Sequence, residues 1–214
     1  MSDINKIGWR FDNTYVNLPE NMVSKQEPVP VKSPKIVILN ENLATELGLN
    51  FVNIDENTLS SLFSGNLLPN GSETISQAYA GHQFGHFTIL GDGRAIILGE
   101  HLNKKNKRFD IQFKGSGKTP YSRNGDGRAA LAPMLREYLI SEAMYHLGIP
   151  TTRSLAVVKT GETVVREKPL TGAILTRVAE SHIRVGTFQY ASISKDEDNL
   201  KTLLNYSIER HYPH

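Results

Sequence analysis

The residues able to do chemistry follow one order along the chain: Gly91-Asp-Gly-Arg94, then Lys114, then a glycine-rich stretch ending at Arg128, then Arg136-Glu137. Lys114 closes Phe109-Asp-Ile-Gln-Phe-Lys114. That alternation predicts a strand with Phe109, Ile111 and Phe113 on one face and Asp110, Gln112 and Lys114 on the other. Glu137 falls on a segment with helical spacing. A nucleotide triphosphate carries several negative charges, and a flexible ammonium serves it as a point charge only when a carboxylate restrains it. Lys114 and Glu137 fit those two tasks, with the glycine turn covering the phosphates. Spacing alone favours a blander arrangement, a strand-end lysine in solvent and a glutamate on an exposed helix face. Gly91 and Gly93 by themselves are an ordinary hairpin turn.

Arg177 and Arg184 lie in apolar, strand-like surroundings. A guanidinium there needs an anionic partner, either a phosphate or a carboxylate such as Glu167 or Glu180. His82 and His86 have the spacing that puts two imidazoles on one helix face, but flanking glycines weaken a helix and no third ligand accompanies them. Hydrogen bonding near the pocket is the expectation there, rather than a metal site. Ser116 and Ser122 lack a nucleophile elbow.

The elements that must position these residues read as an α+β fold. Residues 9–34, punctuated by four prolines, predict an extended arm over the surface. A strand follows over 34–40, then a helix capped by Asn40 and ended by Gly48, then a helical turn over 58–63. Residues 87–90 and 95–98 predict a hairpin turning at Gly91-Asp-Gly-Arg94. Residues 115–128 hold too many glycines for regular structure and form a long loop. The helix over 129–147 presents Leu131, Leu135, Leu139 and Met144 as its apolar stripe. Strands follow over 154–159, 163–166 and 173–178, the first two joined by a hairpin loop at Thr160-Gly-Glu162, and an amphipathic helix begins at Leu200.

With 39% hydrophobic positions, the 214 residues can bury one substantial core or two small ones. A net charge of +2 gives no argument for a nucleic-acid or membrane partner. Residues 101–128 nevertheless hold eight basic side chains against two acidic ones, which could serve a polyanion, although Lys104 to Arg108 reads as a solvated turn. There is no cysteine, which excludes disulfides, thiolate nucleophiles and cysteine zinc sites. The first residues lack an apolar signal region and no run is long enough to span a membrane, so a cytoplasmic location is expected.

The strings Tyr79-Ala-Gly-His-Gln-Phe-Gly85, Leu90-Gly-Asp-Gly-Arg94, Gln112-Phe-Lys-Gly-Ser-Gly117, Thr119-Pro-Tyr-Ser-Arg123, Gly125-Asp-Gly-Arg-Ala129, Leu135-Arg-Glu-Tyr138, Gly148-Ile-Pro-Thr-Thr152 and Leu175-Thr-Arg-Val178 can be matched together. As a set they resemble the selenoprotein-O (SelO, YdiU-like) family. The resemblance runs from about Phe11 to Gln189. It implies a protein-kinase-like N-terminal lobe with an antiparallel sheet and an αC-like helix. Such a pseudokinase binds ATP in a flipped orientation and transfers AMP to Ser, Thr or Tyr hydroxyls of proteins, with Mg²⁺ or Mn²⁺. By position in the matching motifs, Gly91, Gly93, Arg94, Asp126 and Gly127 are nucleotide contacts and Lys114 is the phosphate lysine. Glu137 is its ion-pair partner, while Arg177 and Arg184 hold the terminal phosphate. The expected organisation is an arm with a small α/β extension over 1–72, the nucleotide-binding lobe over 73–190, and the start of a further helical region over 191–214. Family members are roughly twice as long. Their catalytic-base aspartate and metal-binding Asn and Asp lie beyond this chain's matching motifs, so the chain is expected to be a fragment that needs that C-terminal region.

Overall fold

A computed structural model describes residues 3–83, 85–193 and 197–213. Its strands are β1 (Val23–Lys25), β2 (Lys35–Leu39), β3 (Ile75–Gln77), β4 (Ala80–Gln83), β5 (His86–Ile89), β6 (Ala95–Leu102), β7 (Arg108–Lys114), β8 (Ala129–Ala130), β9 (Arg153–Val165) and β10 (Pro169–Ala179). Its helices are α1 (Glu41–Leu47), α2 (Glu56–Ser64), α3 (Leu131–His146), α4 (Val185–Ile193) and α5 (Glu197–His211). Among the described residues the strands form an antiparallel sheet in the order β1-β3-β6-β7-β10-β9-β2, with β8 added to β10, and a separate β4-β5 pair. The fold is α+β. α1 starts where the Asn40 side chain accepts from Leu43 N at 3.0 Å, and it stops at Gly48, whose φ is +80°.

Period-2 alternation gives the sheet two different faces. On one face Leu98, Ile111, Phe113, Leu155 and Ile174 pack under Leu47, Leu62 and Phe63 of α1 and α2. The other face carries two separate apolar clusters. Ile75 and Ile97 meet Tyr15, Met22 and Leu203 at one end, and Leu175 and Val157 meet Met134 and Tyr138 of α3 at the other. Between those clusters run Asp110, Gln112 and Lys114 of β7, with Arg177 opposite Gln112 on β10.

Several expectations change. The arm over 9–34 is largely extended, but it enters the fold instead of lying over it. Phe11 bridges His101, β1 pairs with β3, and Tyr15, Leu18 and Met22 are buried. Its apolar residues come singly between polar ones, which hides them from periodicity. Residues 87–90 and 95–98 do not form a hairpin, because β5 pairs with β4 and β6 pairs with β7 and β3. Gly91-Asp-Gly-Arg94 is a corner between two sheets. Thr160-Gly-Glu162 is no hairpin loop, since β9 runs through it with a positive φ at Gly161 and the chain reverses at 166–168. α3 buries Met134 and Tyr138, while Leu139 is 64% exposed, because a stripe read at spacing four rotates off the true contact face.

A buried ion cluster joins arm, sheet and last helix. Arg210 of α5 donates to Glu100 at 2.7 Å and to Asp110 at 2.6 Å, and Glu100 also accepts from Thr14 N at 2.8 Å and Tyr15 N at 2.6 Å. Removing the guanidinium would take the closest cation from two buried carboxylates, leaving Glu100 to Arg108 and the arm and Asp110 to His182. Arg210→Met should therefore cost about 3–5 kcal/mol in urea unfolding, and a loss under about 1 kcal/mol would show that the cluster is not integral to the fold.

Candidate functional site

The polar strip of β7 and β10 forms one continuous chain of contacts. Lys114 Nζ donates to Glu137 Oε2 at 2.5 Å, and Arg177 Nη1 donates to Glu137 Oε1 at 3.3 Å. Arg177 Nη2 donates to Gln112 Oε1, whose amide donates in turn to Asp92 Oδ2 at 3.3 Å. Asp92 Oδ1 lies 3.6 Å from Arg184 Nη2, and the Arg184 guanidinium sits 4.2 Å from the centre of the Tyr79 ring. Two strands, a helix, the corner at 91–94 and the segment after β10 thus supply alternating charges along a single line. The competing partners Glu167 and Glu180 are not used by either arginine; Glu180 pairs with Lys107.

Above this line lies a cleft of about 390 Å³. Gly91, Gly93, Arg94, Lys114, Asp126, Gly127, Arg177 and Arg184 all line it, so eight of the nine residues singled out in the sequence share one cavity. Glu137 does not line it and reaches Lys114 and Arg177 from an adjoining cavity under α3. Tyr121, Arg123, Arg128 and Arg166 complete a strongly cationic wall. Lys104 to Arg108, the other basic stretch, lies away from this cleft, with Lys107 and Arg108 in ion pairs to Glu180 and Asp12.

The loop over 115–128 is tied to the corner. Thr119 Oγ1 donates to Asp92 O at 2.8 Å and Ser122 Oγ donates to Gly93 O at 2.6 Å. Gly91 has φ +70°, and a Cβ there would fall 2.3 Å from Tyr121 Cγ. At Gly127, φ +68°, a Cβ would fall 2.0 Å from Gly117 O. These glycines permit close backbone approach. Ser122 is a loop staple, in keeping with its lack of nucleophile surroundings. Asp126 binds Arg166 through both oxygens, at 2.8 and 3.0 Å, which holds its carboxyl below the usual aspartate value. His82 and His86 lie on the β4-β5 pair, not on a helix, and the His82 ring meets Phe87 edge-on.

Burial and the Arg177 guanidinium lower the Lys114 ammonium below the ordinary lysine value, against the pull of Glu137. Burial raises the Glu137 carboxyl, and Lys114 and Arg177 more than reverse it, leaving Glu137 below the ordinary glutamate value. Burial raises Asp92 despite Arg184. The lysine charge is thus under strain that an anion in the cleft would relieve. Among the described residues no group of three His, Asp or Glu side chains is placed to hold a metal ion. The carboxylates at the cleft do not fit one either, since Asp92, Asp126 and Glu137 each face a guanidinium or ammonium.

The model of the protein adenylyltransferase SelO family matches residues 6–214. The chain belongs to the SelO family. It is 65% identical over 207 residues to a protein nucleotidyltransferase YdiU of Pelagibacter ubique and 65% identical to one of Nitrosococcus oceani. A third, from Bacillus cytotoxicus, is 60% identical. Each match covers 97% of this chain and 43%, 42% and 42% of the respective relative, so this SelO chain spans about two fifths of their length. No helix among the described residues is long and apolar enough to cross a membrane.

Sequence reasoning missed Asp92, Tyr79, Tyr121 and Arg166 as cleft residues, and Gln112 as the buried link between Asp92 and Arg177. Gln112 carried a signal, as a polar residue on the strand face that also bears Lys114, whereas nothing local marks Arg166.

Because the folded Glu137 carboxyl is depressed, its stabilising contribution is present above the ordinary glutamate range and is lost as pH falls through the folded value. The urea-midpoint gap between wild type and Glu137→Gln should be largest near pH 7 and shrink below about pH 4. An undiminished gap at low pH would contradict the ion-pair assignment.

Proposed function

We propose that this chain is the ATP-binding part of a protein adenylyltransferase that transfers AMP to Ser, Thr or Tyr hydroxyls of proteins. The observation that carries the reading is the convergence of Lys114, Arg177 and Arg184 on one cleft, held in one chain of contacts by Asp92, Gln112 and Glu137. The lysine and its helix glutamate repeat the arrangement of a kinase-like nucleotide lobe, assigned to residues 73–190, with 1–72 as an arm and small α/β extension and 191–214 leading into a helical region.

In this reading the two arginines and Lys114 hold the β- and γ-phosphates, Arg94 and the glycine corner lie along the nucleotide, and Gly127 lets the loop backbone approach it. Anchoring the terminal phosphates leaves the α-phosphorus open. The hydroxyl oxygen then bonds to the α-phosphorus, the bridging bond to the β-phosphate breaks, and pyrophosphate leaves. The hydroxyl proton needs a base. Asp126 and Glu137 are unsuited, because the cations bound to their oxygens lower their affinity for a proton. Neither base nor Mg²⁺ or Mn²⁺ site is built from this cleft, so the chain alone binds nucleotide without transferring it, and the missing groups come from the part of the longer relatives that it does not span.

Lys114→Ala in a full-length enzyme carrying this segment should reduce AMP transfer to protein at least about a hundredfold, and near-normal transfer would refute the lysine's role. Labelled ATP separates this reading from a conventional phosphotransferase. Label at the α-phosphate should reach protein, whereas label arriving from the γ-phosphate would establish the other chemistry.

A further inference from the structure

A carboxylate buried against a phosphate site calls for an explanation, because its charge opposes the ligand. Asp92 is 2% exposed and sits in the corner between β5 and β6. Its own N–H donates to Gln77 O at 2.9 Å, and its Oδ2 accepts from Gln77 N at 3.1 Å, so the main chain of β3 fixes the carboxylate plane. The loop reinforces this by donating from Thr119 to Asp92 O. From that fixed plane two arms extend. Oδ1 faces Arg184 directly, and Oδ2 accepts from Gln112, whose oxygen accepts from Arg177.

We propose that Asp92 is a positioning residue that sets the separation and aim of Arg177 and Arg184, so that the two guanidiniums act as one bracket for the terminal phosphates. The proposal rests on the nucleotide reading above and adds the part that makes two arginines from different segments work as a unit. Arg184 is otherwise held by the Tyr79 ring and His182 O, neither of which links it to Arg177. Arg177 Nε is buried without a hydrogen-bond partner among the described residues, a donor left over beside the cleft. A long flexible cation recognises a phosphate well only when pre-organised. Asp92 supplies that order from behind, with its charge neutralised by the arginines it holds.

A simple electrostatic view gives the opposite sign, because deleting a negative charge near a polyphosphate should tighten binding. Calorimetric titration of the 214-residue chain with ATP, inorganic tripolyphosphate and AMP, in the presence of a metal chelator, decides between them. Asp92→Asn and the charge-neutral Gln112→Leu should each weaken ATP and tripolyphosphate about tenfold or more, the size of a lost hydrogen bond to a charged group, and leave AMP within about twofold of wild type. Unchanged or tighter polyphosphate binding overturns the proposal, as does equal loss for all three ligands, which marks a merely structural residue. If Asp92→Asn does not fold, Gln112→Leu alone is read by the same criterion. Failure of the wild-type chain to bind ATP or tripolyphosphate overturns the nucleotide reading itself, whereas a wild type that binds and variants that match it overturn only the role of Asp92.

Discussion

Three cations side by side on one strip of sheet are intolerable without acceptors between them. Two like charges about 6 Å apart cost about 3 kcal/mol at an effective dielectric constant of 20. The order Arg184, Asp92, Gln112, Arg177, Glu137, Lys114 resolves this by placing an anion or an amide between each cation and the next. The line is not fully compensated. It leaves one net positive charge and a lysine ammonium that burial and Arg177 weaken. The fold holds the cations apart from one another and still favours an incoming anion.

That line requires a sheet face that is apolar at both ends and polar in the middle. The arm, β3 and α5 close one end around Ile97, and α3 closes the other around Leu175. At the centre Gln112 and Arg177 stand opposite each other, with Gln112 fully buried and Arg177 reaching the cleft. α3 serves both purposes at once, because the face that buries Met134 and Tyr138 also points Glu137 at Lys114. The Arg210 cluster with Glu100 and Asp110 fixes the rest of the same polar face beneath α5.

How much of this is legible in the sequence depends on whether the cause is local. β7 declares itself through strict alternation, and α1 through an asparagine cap and a left-handed glycine. Lys114 and Glu137 are not a pair by spacing, which favours a solvent lysine and an exposed glutamate; the family strings pair them, and they meet where α3 packs on β9 and β10 beside β7. Gly91-Asp-Gly-Arg94 misleads, since a turn signal cannot say whether the next strand pairs with the last one or crosses to another sheet. Asp92 escapes for that reason: in a hairpin it would be a solvated turn residue, and in a corner it is buried. Arg166 gives no local sign, because it meets Asp126 only when the reversal after β9 comes back over the glycine loop. The family strings add residue-level expectations that alternation and capping could not supply.

A crystal structure of the chain with a non-hydrolysable ATP analogue bears most directly on the shared-anion claim. The terminal phosphates should lie within hydrogen-bond distance of Lys114 Nζ and of both the Arg177 and Arg184 guanidiniums, with Glu137 still bound to the lysine. An analogue whose phosphates rest elsewhere on the surface, or that touches Arg94 while leaving Arg177 and Arg184 without a phosphate contact, would contradict it.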